Sequence, residues 1–174
     1  MYRRYRYVGP PEIASAAQNI APGIAFRSTA DVLSWVKRFS IDFDRSGRII
    51  QTFVVAEDGY LRVADRHSEH VACAGGAPVL AAGEVTFRLV GAFVEAEAVT
   101  NQSTGYCPEP ESWNAMAEAL AGAGIRGPNR YTTAFVFRRC LHCDQINVIK
   151  EEIYECAICS RTLPLEWNCE LRSA

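Results

Sequence analysis

Four cysteines near the C-terminus are the residues of this chain best suited to chemistry. They stand as Cys140-Leu141-His142-Cys143 and Cys156-Ala157-Ile158-Cys159, two C-x-x-C pairs with twelve residues between them. Each short hook can present two sulfurs, and a hairpin between the hooks brings all four to one tetrahedral point. Zinc is the expected ion, and iron in the same cage is its rival. A thioredoxin-like dithiol fits less well, because neither pair follows a strand and opens a helix. Four protein ligands leave no position for water, so the ion is expected to be architectural and not hydrolytic. His142 lies inside the first hook and reads as a neighbour of the site, not a fifth ligand.

A second set invites comparison. His67, His70 and Cys73 recur at three-residue spacing ahead of Ala74-Gly75-Gly76. On a helix they would share a face and could hold a second metal, with Cys107 joining from afar. The same residues permit thiol chemistry: Cys107 or Cys73 as nucleophile, His67 or His70 as base, and Glu69 or Glu109 orienting the imidazole. Cys107 precedes an expected helix N-terminus, where the dipole would lower a thiol pKa. The plainer reading is a polar loop and a buried cysteine. A thiol- or metal-dependent enzyme is therefore the third expectation.

A third pattern is the alternation of arginine and tyrosine in Tyr2-Arg3-Arg4-Tyr5-Arg6-Tyr7. Aromatic platforms beside cations are how single-stranded nucleic acid is gripped, and Arg126, Arg130, Arg138 and Arg139 could extend such a surface from Arg3, Arg4 and Arg6. The alternative is an edge strand whose charges discourage sheet-to-sheet pairing. Two further motifs fail on context. Gly122-Ala123-Gly124-Ile125-Arg126-Gly127 follows a helix and leads to a strand, the reverse of a dinucleotide-binding turn. Asp42 to Gly47 imitates a calcium loop, but its twelfth position is Phe53 where a bidentate Glu is required.

Composition bounds these readings. The 174 residues are 49% hydrophobic and 22% charged, with net charge -2 and pI near 5.9. That is globular composition without the basic excess of a protein that coats nucleic acid or anionic membrane. From Arg126 to Arg172 seven basic residues face six acidic ones. A zinc centre with four thiolates, formally -2, leaves that part near -1, which weakens nucleic-acid binding by the hooks themselves. No secretory leader or membrane-spanning run is read in the chain, and metal thiolates suit a reducing compartment, so a cytoplasmic location is expected.

The elements that must position these residues follow from pattern. Tyr2–Val8 reads as a strand, Glu12–Ile20 as a helix after Pro10-Pro11, and Gly23–Arg27 as a short strand. Ser28 with Asp31 caps a helix over Asp31–Phe39, whose Val32, Leu33, Val36 and Phe39 recur at helical spacing. Ile49–Val55 and Tyr60–Ala64 form a hairpin around Asp58-Gly59, and Glu84–Val90 and Ala92–Thr100 a second around Gly91. Pro110 opens a helix carrying Trp113, Met116, Ala117 and Leu120, and Tyr131–Arg139 runs as a strand into Cys140.

Between the hooks, Asn147–Lys150 and Ile153–Glu155 flank Glu151-Glu152 as a hairpin. The region Phe137–Trp167 thus resembles the zinc-ribbon, rubredoxin-knuckle class, with Asp144 and Ser160 where that class often has glycine. The resemblance implies a platform for protein or nucleic acid. The expected architecture is α+β, an antiparallel sheet with about three helices over residues 1–130 and a four-cysteine zinc ribbon over 131–174 packed on it. The leading functional expectation is a zinc-binding protein that acts on a protein partner as an adaptor, inhibitor or regulatory subunit. Nucleic-acid binding stands second.

Overall fold

A computed structural model describes residues 1–170. Its centre is a five-stranded antiparallel sheet in the order β1-β3-β2-β4-β5, from β1 (Ile24–Phe26), β2 (Arg48–Ala56), β3 (Leu61–Asp65), β4 (Val79–Val90) and β5 (Phe93–Val99). Four α-helices accompany it: α1 (Pro11–Ala17), α2 (Thr29–Arg38), α3 (His70–Cys73) and α4 (Trp113–Gly122). A separate two-stranded sheet, β6 (Val136–Arg139) with β7 (Ile146–Ile149), carries the first cysteine hook at its turn. The α+β class is as the sequence implies.

The run Phe53-Val54-Val55 in β2 explains why the sheet lies between two layers. Successive strand side chains point to opposite faces. Phe53 and Val55 join Phe26, Trp35, Phe87, Met116 and Leu120 in one core beneath α2 and α4. Val54 faces the other way, into a cluster with Tyr5, Val71, Cys73, Val79 and Tyr106. Fully burying each large apolar side chain contributes roughly 1.5–3 kcal/mol, so this unbroken run favours a central strand covered on both faces.

Local chemistry sets the ends of the elements. Ser28 accepts the Asp31 N–H at 3.4 Å and caps α2. Asp58 accepts the Tyr60 N–H and pairs with Arg62, which tightens the β2–β3 turn. α4 stops at Gly124, whose φ of +71° lets the Ile125 N–H reach back to the Leu120 carbonyl at 2.9 Å. The apparent dinucleotide motif is thus a helix stop.

Two expected strands are shorter than their pattern. Within Tyr2–Val8 only Tyr5 pairs, exchanging both backbone bonds with Val79. Tyr5 is buried between the exposed Arg4 and Arg6, so the alternation is real, but it fills one socket at the start of β4. The expected strand Tyr131–Arg139 is regular only over β6, because the Thr132 N–H bonds to the Val99 carbonyl, Thr133 makes only an isolated bridge to Thr100, and the Phe135 N–H bonds to the Asn101 side chain. Ile153–Glu155 likewise makes isolated bridges, to Lys150 and Thr162, while β7 takes β6 as its partner.

Candidate metal centre

The hydrogen bonds of β6 and β7 place the first hook. Their register aligns Arg139 with Ile146, so the chain must reverse across Cys140–Gln145. The Cys140 N–H bonds to the Gln145 carbonyl, and the Asp144 N–H to the Cys140 carbonyl at 3.0 Å. The second hook repeats this pattern: Cys156 N–H to Arg161, and Ser160 N–H to Cys156 at 2.9 Å. Asp144 and Ser160, which follow the second cysteine of each hook, have φ of +63° and +56°. These are the left-handed positions where glycine is common, and here polar residues occupy them.

The four sulfurs converge. Cys140 and Cys159 Sγ are 3.5 Å apart, as are Cys143 and Cys156 Sγ, and all four lie within 4.8 Å of one another. A tetrahedral zinc with bonds of ~2.3 Å sets its sulfurs ~3.8 Å apart, so the donor set fits that ion. The separations are also well beyond a disulfide bond of ~2.05 Å. Among the described residues this is the one group of three or more Cys, His, Asp or Glu ligand atoms that converges in this way.

Backbone N–H groups hold two of the four thiols, Cys140 and Cys156, below the ordinary value, while Cys143 and Cys159 are raised. The N–H groups of Cys143 and His142 point at Cys140 and hold its thiol below the ordinary value. Burial raises Cys156, but the N–H groups of Cys159 and Ile158, with Cys143 and Asn147, draw it down to about 6. The N–H of Gln145 lowers Cys143, yet burial and the shared thiol hydrogen bonds push it up to about 12. Asn147 Nδ2 donates to Cys156 Sγ while its Oδ1 accepts the Ala157 N–H, so β7 orients the second hook directly.

Comparison of the chain with protein-family models, curated proteins and solved structures finds no match. The case for a metal therefore rests on the cage itself: four cysteines within metal-binding distance, compatible with a zinc-ribbon-like site. No helix among the described residues is long and apolar enough to cross a membrane.

The second expected set is not brought together. α3 begins only at His70, so His67 sits exposed in the preceding turn, its N–H on Asp65. His70 Nε2 donates to the Gly83 carbonyl at 3.0 Å, and burial holds its pKa below the ordinary histidine value. Cys73 donates to the Arg62 carbonyl, and burial pushes its thiol up to about 12. Cys107 belongs to a different cluster, with Val8, Phe137 and Cys169. Its thiol is raised by the neighbouring Cys169 thiol and by burial, opposite to the lowering expected from a helix dipole. Glu109 is engaged elsewhere, with Arg138 at 2.8 Å.

Two of the seven expected arginines, Arg138 and Arg139, are not available at the surface. Arg138 and Arg139 are 5% and 7% exposed and clamp the C-terminal segment: Arg138 donates twice to the Leu165 carbonyl, and Arg139 to Asp144 and the Cys169 carbonyl. Arg4 pairs with Glu57 and Arg126 with Glu95, while Arg3 stacks 4.8 Å over Trp167. Arg172 lies outside the described residues. The Cys107–Cys169 cluster and the two arginine clamps escaped sequence reasoning, because the residues involved meet only through the tertiary fold.

Proposed function

We propose that the protein is a zinc-binding interaction module in which the metal is structural and residues 131–174, a ribbon of the rubredoxin-knuckle type, present a surface to a protein partner. The observation that carries this reading is what the closed cage leaves outside itself. Leu141 and Ile158, one non-ligand residue from each hook, are 59% and 70% exposed, and Ile153 and Leu165 are exposed to a similar degree. Large apolar side chains rigidly held by a metal cage suit anchoring in a partner's pockets. A regulatory or adaptor role in the cytoplasm follows from this proposal.

Nucleic-acid binding is less well supported, since Arg4, Arg126, Arg138 and Arg139 are already matched to carboxylates. The test is affinity capture with the zinc-loaded protein beside the Leu141→Asp, Ile158→Asp double variant, after zinc content has been shown equal in both. Partners retained by the parent and lost by the variant are the expected result. Equal recovery of the same proteins by both would remove the hook tips from the interaction.

A further inference from the structure

Two of the three cysteines outside the cage share one buried cluster. Cys107 comes from the loop ahead of α4 and Cys169 from the C-terminal segment. Both are fully buried and pack in one cluster with Val8 and Phe137, where each thiol shifts the ionisation of the other. Cys73, the third, is buried without another thiol among the groups that perturb it.

Three features distinguish this pair from inert core thiols. First, Arg139 reaches its Nη1 and Nη2 to protein oxygens, but its buried Nε has no acceptor. Its charge acts on both thiols, and a guanidinium beside a thiol favours the thiolate that oxidation requires. The neighbouring Cys107 thiol, Arg139 and Arg138 together hold Cys169 below the ordinary thiol value against its burial.

Second, the backbone of Cys107 is fixed. It has a left-handed φ of +47°, its N–H bonds to Ser103 at 2.7 Å, and its carbonyl accepts Trp167 Nε1 at 2.8 Å. Trp167 therefore ties the segment bearing Cys169 to the loop bearing Cys107. Third, a cleft of about 410 Å³ is lined by Val8, Thr104 and Arg139. Val8 packs in the thiol cluster, and the Thr104 carbonyl accepts the Cys107 thiol at 3.2 Å, so the cleft is walled by residues that contact this cluster.

We infer that Cys107 and Cys169 are a redox pair, which a small hydroperoxide converts into an intramolecular disulfide that fastens the C-terminal segment to the loop ahead of α4. Cys169 thiolate attacks one peroxide oxygen, the O–O bond breaks, and the departing hydroxide takes the proton of the Cys107 thiol to leave as water. Cys169 is then a sulfenic acid. Cys107 thiolate attacks its sulfur, the S–S bond forms, and the S–O bond breaks. The second hydroxide takes up the proton that Cys169 released on ionising. Two thiols and one hydrogen peroxide thus give one disulfide and two waters, with two electrons passing from sulfur to oxygen.

The experiment treats zinc-loaded full-length protein with increasing hydrogen peroxide, stops the reaction with catalase, alkylates under denaturing conditions and maps unreduced peptides by mass spectrometry. Zinc release is followed in parallel with a chromogenic chelator. The expected product is a Cys107–Cys169 linked peptide at exposures that leave zinc bound and Cys73 alkylated. The inference is overturned if Cys107 and Cys169 are still alkylated once zinc has been released, or if Cys73 oxidises as fast, which marks reaction through unfolding. In Cys169→Ala protein of normal zinc content, loss of the Cys107 thiol to peroxide should slow at least tenfold, and an unchanged rate would count against the pair. Should that variant fail to load zinc, mapping of the parent protein decides alone.

Discussion

His70 shows how a residue that suggests chemistry in sequence can be fixed to a structural role. Its Nε2 faces a carbonyl and so must carry the proton of that bond, and burial disfavours the imidazolium. The folded-state pKa lies below the ordinary value of ~6.5, so the unfolded chain takes up a proton first as pH falls. The stability linked to His70 is full above about pH 6.5 and is lost as pH drops from there through the folded value. Urea midpoints measured at about pH 7.5 and about pH 5.5 should fall more steeply for the parent protein than for His70→Gln, which keeps a donor but does not titrate. Parallel falls would show that His70 contributes nothing to the acid response. Asp144 and Ser160 give the converse lesson: their positive φ is imposed by the hook geometry despite side chains that do not advertise it.

At the scale of elements, Glu109 and Arg138 join the approach to α4 with β6. The side chains are 17% and 6% exposed and 2.8 Å apart, and Arg138 also holds the Leu165 carbonyl. Removing one member of a buried pair leaves the other charge uncompensated, at about 3 kcal/mol or more. Glu109→Ala should therefore lower holo-protein stability in chemical denaturation by about that amount, and Glu109→Gln by less, since an amide oxygen still accepts. A loss below ~1 kcal/mol would mean that the Leu165 and Phe137 carbonyls suffice for Arg138. Elements governed by local chemistry were readable from sequence: the Ser28-capped helix, the Asp58-Gly59 hairpin, the Gly124 stop and the two cysteine hooks. Elements governed by distant partners were not. Tyr2–Val8 alternates like a strand, but only Tyr5 finds a β4 partner. β7 pairs back to β6, and the hydrophobic pattern of Ile153–Glu155 gave no sign of that choice. The Cys107–Cys169 cluster joins segments that no local pattern relates.

For the whole molecule, the distribution of the core decides how far metal loss should spread. The cage sits with Leu163, Ile149 and Tyr154 in its own small cluster, and β6 carries Phe137 into the cluster of Val8, Cys107 and Cys169. The main core under α2 and α4 draws on β1–β5 and takes no residue from β6 or β7. In small thiolate sites metal binding supplies on the order of 10 kcal/mol of folding free energy, far more than the apolar contacts of a short ribbon can replace. Chelation at neutral pH, or Cys156→Ser, should therefore raise amide exchange across β6, β7 and residues 163–170 by orders of magnitude, because Arg138 and Arg139 leave β6 to hold that segment. β2 and β4 should stay protected in the same sample. Uniform loss of protection would make the metal the keystone of one cooperative unit, and unchanged exchange at β6 would mean that the cage does not hold the ribbon. Only a graded result, with the ribbon released and the sheet intact, fits a metal whose task is to present a surface on an independently stable support.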